Sequence, residues 1–227
     1  ECRKCGEKLA GNDAEPLRHQ VWELPEIKPL VTEYQRHRLE CPCCGETTCA
    51  ELPAGVPQGQ SGPRLMAFTA LLMAYYRQSK RRTAEFLTTL LGQPCCAALT
   101  VKIQTQVTAA ARSAYEELAA QLPTEEHVNA DESPTKEKNR KAWLWTFVRC
   151  EGIEPTNNAG ERALRHAVIW RKLSFGTQSA AGSRFVETML TVIETCRQQD
   201  RNTFDYLTAA VQAHLASQPA PSLLPRV

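Results

Sequence analysis

Two carboxylates and two cysteine pairs are the residues of this 227-residue chain whose types and spacing could do chemistry. Glu161 stands immediately before an acid-free run that carries Arg162, Arg165, Arg171, Lys172 and Arg184. A lone acid at the edge of a basic helical stripe reads as a metal-binding carboxylate beside a phosphate-binding surface. Asp131 ends the strand-like stretch HVNAD. Each residue also has an ordinary reading. An Asp at a strand end is commonly a turn residue. Asn158 followed three residues later by Glu161 is a capping-box-like pattern, in which Glu161 only accepts a backbone N–H. On spacing alone both readings stay open.

The cysteines point to metal. Cys2 and Cys5 form one CxxC knuckle followed by Gly6, and Cys41 and Cys44 form another followed by Gly45. Together they offer four thiolates for a tetrahedral Zn²⁺ site, and the glycines permit the tight turn such knuckles need. A four-thiolate site is closed, so this zinc would hold the fold and perform no chemistry. The alternatives are reduced, unliganded thiols or a disulfide. Cys43 and Cys49 are surplus, with His19 and His37 as substitute ligands. Cys95, Cys96, Cys150 and Cys196 read as packing residues.

Composition bounds the rest. A net charge of +2 is too small to mark a nucleic-acid binder, so that argument rests on the local cluster. No apolar run approaches the about 18 residues of a membrane span, and no membrane partner is expected. The N-terminus lacks the apolar core of a signal peptide. With the CxxC spacing, this turns ten cysteines away from a secreted disulfide framework and toward a reducing cytosol. The opening Glu reads as a start part-way through a longer protein.

These residues must be positioned by a chain that reads as mainly α with small β elements. Residues 1–50 are cysteine-rich, with short candidate strands such as Val31–Tyr34; residues 51–63, rich in Pro and Gly, read as a linker. Residues 64–122 are helical. Leu65, Phe68, Leu72, Tyr75 and Tyr76 form one stripe, and Ala84, Leu87, Leu90 and Leu91 a second, stopped by Gly92 and Pro94. A third helix spans Ala97 to Leu122 and ends at Pro123. Thr83–Leu91, Gly92–Pro94 and the segment from Ala97 could make a helix-turn-helix-like DNA-binding unit, with Lys80, Arg81 and Arg82 on phosphates. Plain helix packing explains the same pattern, and CCAALTV offers few groups that read bases. Residues 127–131 and 142–148 read as strands separated by a polar loop; helices follow from about Asn158, from Arg184 to Cys196 and from Thr203 to Leu215. Residues 216–227 read as a disordered tail.

Three blocks carry a resemblance: the two knuckles, DESPTK followed by WLW, and EPTNNAGERALRHAVIWRKLSFGTQSAAGSRF. Together they resemble the insertion-sequence 66 family of bacterial transposases over about residues 1–215. The resemblance implies an N-terminal zinc-binding region, a helical middle, a ribonuclease-H-like (α+β) catalytic domain over residues 123–215 and C-terminal helices. It also implies an Asp-Asp-Glu triad on catalytic Mg²⁺, with Asp131 as its first member and Glu161, in TNNAGER, as its last. Cleavage and strand transfer at transposon ends, in the bacterial cytoplasm at the nucleoid, would be the activity. The partners implied are DNA, further copies of the chain or an intact transposase. The chain departs from the family in one respect. No aspartate lies between Asp131 and Glu161, and Val148 runs almost directly into Glu154-Pro155. Set against the family's pattern, this implies that the middle of the catalytic domain is missing, with the break near Arg149–Cys150. The expectation is a catalytically defective remnant, or a non-catalytic DNA-binding or regulatory protein derived from one. Strand 142–148 is apolar on both faces, so an uncovered sheet edge is expected as well.

Overall fold

The structure, a computed structural model, describes residues 1–149 and 157–225. Among these it is mainly helical, with six α-helices and two two-stranded sheets.

The helices form a bundle around α3 (Ala97–Gln121), with α1 (Pro63–Ala74), α2 (Lys80–Leu91), α5 (Ala180–Gln198) and α6 (Thr203–Leu215) packed on it. Met66, Ala70, Ile103, Val107, Met189, Val192, Leu207 and Val211 make the centre of the core. Each large aliphatic side chain buried there stabilises the fold by about 1.5–3 kcal/mol. Local signals set the boundaries. Ser79 caps α2 by accepting from the Arg82 N–H, and Gly92 ends it in a left-handed conformation, φ 61°, its N–H bonded to Leu87 O. Asn202 caps α6 by accepting from Phe204 and Asp205. α5 starts earlier than expected, at Ala180, because Ser179 caps it and the small residues before Arg184 are helical.

The stripe expected on α1 is corrected. Tyr75 and Tyr76 lie beyond the helix and are exposed, whereas Met66, Ala67, Ala70, Met73 and Ala74 are buried. α1 touches α2, α3, α5 and α6, so it is buried nearly all round and no single face carries the pattern. On α2, Leu90 is exposed and Thr83 buried in its place.

The N-terminal strands are β1 (Arg38–Glu40) and β2 (Thr47–Cys49), and Val31–Tyr34 forms none. The reason is local: the turn of the second knuckle draws its own flanks into a hairpin.

β3 (Val128–Glu137) and β4 (Arg140–Arg149) are longer than the sequence suggested. The polar stretch read as a loop is the outer half of one antiparallel hairpin, closed by Lys138 and Asn139 at φ 49° and 61°. Those angles are the left-handed pair that a two-residue type I′ turn requires. α4 (Asn158–Ser174) covers one face of this hairpin with Gly160, Ala163, Leu164 and Ala167. The other face carries Trp143, Trp145 and Phe147, all about half exposed.

Residues 216–225 are also corrected: this tail is docked. Leu223 is fully buried in the core. The Tyr206 hydroxyl donates to Pro221 O at 2.9 Å, Gln199 Nε2 to Leu223 O at 2.7 Å and Arg201 Nη1 to Ser222 O at 3.0 Å. Proline richness alone does not prevent ordering where buried donors wait for carbonyls.

Candidate metal and nucleic-acid sites

The two knuckles have the same backbone form. Cys2 N–H donates to Glu7 O and Gly6 N–H to Cys2 O; Cys41 N–H donates to Glu46 O and Gly45 N–H to Cys41 O. Gly6 and Gly45 sit at φ 76° and 73°, which explains both glycines. In each turn the first thiol is held below its ordinary pKa. For Cys2 the main cause is the backbone N–H of Lys4, then that of Cys5; for Cys41 it is that of Cys44, then that of Cys43. N–H groups that favour a thiolate are what a zinc-bound sulfur needs. Each knuckle thus has the donor chemistry of half a zinc site. Among the described residues no three potential ligands converge, so the two halves are not brought together.

The carboxylates are placed on neighbouring elements. Asp131 lies on β3 opposite Thr146, on the sheet face turned to α4, and its Oδ1 accepts the Glu132 N–H at 2.8 Å. Glu161 lies in the first turn of α4 and is exposed. The capping-box alternative is not what forms. The N-cap is Asn157, without a side-chain cap bond, and Glu161 N–H donates to Asn157 O as part of the helix ladder. Its carboxylate is therefore not engaged in capping.

What ties the two elements together was not read from the sequence. Asn157 Nδ2 donates to Ala130 O at 2.9 Å, beside Asp131. A Cβ on Gly160 would come within 2.7 Å of Asn157 Oδ1, so the glycine makes room for the amide. The sequence offered Asn158 as the cap; the asparagine that ties the elements is its neighbour Asn157, whose partner lies 27 residues upstream and has no local signal. No third carboxylate joins Asp131 and Glu161 among the described residues. Asp200 follows the far end of α5, Asp205 opens α6, and Glu151 and Glu154 lie outside the described residues. The described residues do not fit a two-metal centre, which needs more carboxylate charge than two groups supply.

The basic run divides into two sets. Arg162, Arg165 and Lys172 are exposed on α4, and at about 100° per residue they and Glu161 share one side of the helix. Arg184 is exposed near the start of α5, just past its first turn. Arg171 is different: its Nη1 donates to Pro134 O at 2.7 Å, so it clasps α4 to β3. The segment after α4 is clasped too. Thr177 N–H donates to Lys136 O at 2.8 Å, and Lys138 N–H to Thr177 O at 2.9 Å. Ser183 Oγ bonds both Thr177 Oγ1 and the Glu137 carboxylate. Gly176 makes this docking possible: its φ is 103°, and a Cβ there would overlap Lys136 O. No described helix is long and apolar enough to cross a membrane.

Comparison with known families gives two matches in chain order. Residues 1–45 match the family described as the zinc-finger binding domain of transposase IS66. Residues 58–152 match the one described as the Transposase IS66 family. The first match spans both knuckles, and the second includes Asp131 and stops before Glu161. No curated protein and no solved structure matches the chain. The two matches cover consecutive parts of one kind of enzyme, and the chain belongs to the insertion-sequence 66 transposase family.

Proposed function

We propose that the chain is a remnant of an insertion-sequence 66 transposase that still binds DNA and no longer cuts it. Its catalytic region would be the residue of a ribonuclease-H-like domain, with Asp131 and Glu161 the surviving first and last members of the triad. The observation that carries this is the pairing of two elements around an incomplete ligand set. Asn157 holds the start of α4 against the backbone next to Asp131. Yet no other carboxylate gathers there among the described residues. The proposed break, near Arg149–Cys150, falls at the border of the described residues, and the family match stops at residue 152. Mg²⁺ in the intact family would activate the attacking oxygen and stabilise the leaving one; no such step is assigned to this chain.

The DNA surface would be Arg162, Arg165 and Lys172 on α4 with Arg184 on α5, at transposon ends and in the bacterial cytoplasm. Their exposure supports phosphate contact, because a cation that releases counterions must reach the backbone unpaired. The test is a mobility shift on duplex transposon-end DNA across a salt series. Replacing Arg162, Arg165 and Lys172 by Ala is expected to weaken binding to all sequences alike. It should flatten the slope of log K against log salt by about 2–3, near 0.9 per lost phosphate contact. Arg171→Ala should lower the melting temperature instead, since its guanidinium is committed to Pro134 O. An unchanged slope in the triple variant would move the contact elsewhere, to Lys80–Arg82 first.

The knuckles would hold one structural Zn²⁺ through Cys2, Cys5, Cys41 and Cys44. Leu17, Trp22, Leu24 and Leu30 between them are more than four-fifths exposed, so this region has little core to hold it without a cross-link. Elemental analysis of protein purified without chelator should find about one zinc per chain, and Cys41→Ser should lose it. Zinc-free protein whose fold ignores chelators would sink this assignment.

A further inference from the structure

The β3–β4 hairpin has two edges, and among the described residues strand pairing and side-chain clasps are seen on one. On the β3 edge, Ala130 O accepts from Asn157, Pro134 O from Arg171, and Lys136 O from Thr177 N–H. On the β4 edge, none of the described strands pairs. Pro134 has no N–H, so its pairing with Trp143 cannot be one of the hydrogen-bonded pairs of the ladder. Alternation then turns the backbone N–H and C=O groups of Lys141, Trp143, Trp145, Phe147 and Arg149 outward. The same residues point their side chains at the solvent face, where Trp143 is 48%, Trp145 53% and Phe147 50% exposed. A ten-residue edge of this kind is a template for another strand.

We infer that β4 pairs antiparallel with β4 of a second copy of this chain, so that two hairpins make one four-stranded sheet across a two-fold axis. Three observations favour a second copy over other occupants. The first is closure. Head-to-tail growth would need the β3 edge, which Asn157, Arg171 and Thr177 block, so the contact must be isologous and stop at two. The second is register. Pairing Trp143 with Trp145 of the second copy sets Lys141 opposite Phe147, whereas a shift that pairs Trp145 with itself would set Lys141 against Arg149. The first register avoids like charges and makes aromatic cross-strand pairs. The third is chemistry: β4 has no acidic side chain, and its centre, AWLWTFV, is uncharged. That centre suits an equally uncharged strand.

Sedimentation velocity of the full chain over a concentration series should show a monomer–dimer equilibrium. Trp145→Ala keeps the outward N–H, and Trp145→Pro removes it while leaving the bonds to β3 in place. Both lose the aromatic ring, so their difference reads the edge. Trp145→Pro should dissociate at least tenfold more readily than Trp145→Ala, with helical circular dichroism unchanged in both. Phe147→Pro against Phe147→Ala repeats the comparison should the first proline variant fail to fold. A wild-type chain that stays monomeric would overturn the inference, even where short oligodeoxythymidine quenches its tryptophans and claims the face for single-stranded DNA. Equal dissociation of the proline and alanine variants would overturn edge pairing, and species larger than a dimer would overturn the two-fold closure.

Discussion

Incubated with transposon-end DNA and Mg²⁺ or Mn²⁺, the protein is expected to give no cleavage and no strand transfer above background. Two divalent ions about 4 Å apart repel strongly and are held by carboxylates that neutralise them. Asp131 and Glu161 are placed on adjoining elements, and no third acid joins them among the described residues. Without a further ligand, two ions would lack the carboxylate charge that holds them and places the attacking oxygen. Each tenfold loss in rate is about 1.36 kcal/mol of lost transition-state stabilisation. A deficit of about 4 kcal/mol, a modest share of what enzymes supply, already puts turnover about a thousandfold down. Gel analysis of end-labelled DNA over hours is the measurement. Turnover that vanishes in both Asp131→Ala and Glu161→Ala would reverse the conclusion. It would mean that Glu151, Glu154 or another chain supplies the third carboxylate.

How far the sequence led depends on how local each cause was. α6 was legible to the residue, because Asn202 caps it through its own neighbours Phe204 and Asp205. The same holds for the end of α2 at Gly92. The hairpin was half legible. Its apolar run showed from Ala142 to Val148, but its outer half is polar and is strand only because Lys138-Asn139 can adopt the turn. Long-range contacts were not legible. Nothing near Pro221 or Leu223 announces that Tyr206 and Gln199 will bond their carbonyls. Nor does a run of basic residues reveal that Arg171 alone spends its charge inside the fold. The candidate site was legible only as residue types, Asp131, Glu161 and the paired cysteines. The Asn157 tie between the two carboxylate-bearing elements depends on packing and was not.

Gly176→Ala is expected to be the most damaging small substitution in the C-terminal region. Two costs coincide there. At φ 103° an L-residue is strained, by about 1–3 kcal/mol. The added methyl would also overlap Lys136 O and stand 3.1 Å from Lys136 C, both backbone atoms that cannot swing aside. Relieving the overlap means breaking the Thr177 N–H to Lys136 O bond. The total, about 2–5 kcal/mol, corresponds to a fall in melting temperature of roughly 5–15 °C for a chain of this size. Amide exchange should locate the damage: Lys138 should lose protection while Val107 and Met189, in the bundle, keep theirs. A variant with wild-type melting and exchange would show that the segment undocks in solution without cost. Gly182→Ala is the matched control, since a Cβ there meets nothing closer than 3.5 Å.

Arg149 is in register with Val128, and Asn157 bonds the carbonyl of Ala130, so the chain leaves β4 and enters α4 at the same end of β3. Those two points behave like the jaws of a socket. Whatever sequence runs between them departs from and returns to one place, and the polar ties of α4 to β3 do not depend on its length. For a flexible connection each doubling of that length costs only about 0.6 kcal/mol in closure entropy. Gain or loss of a whole stretch of coding sequence at this point is therefore an edit that the rest of the molecule can absorb, and an ancestor and a shortened descendant could share every contact outside the socket.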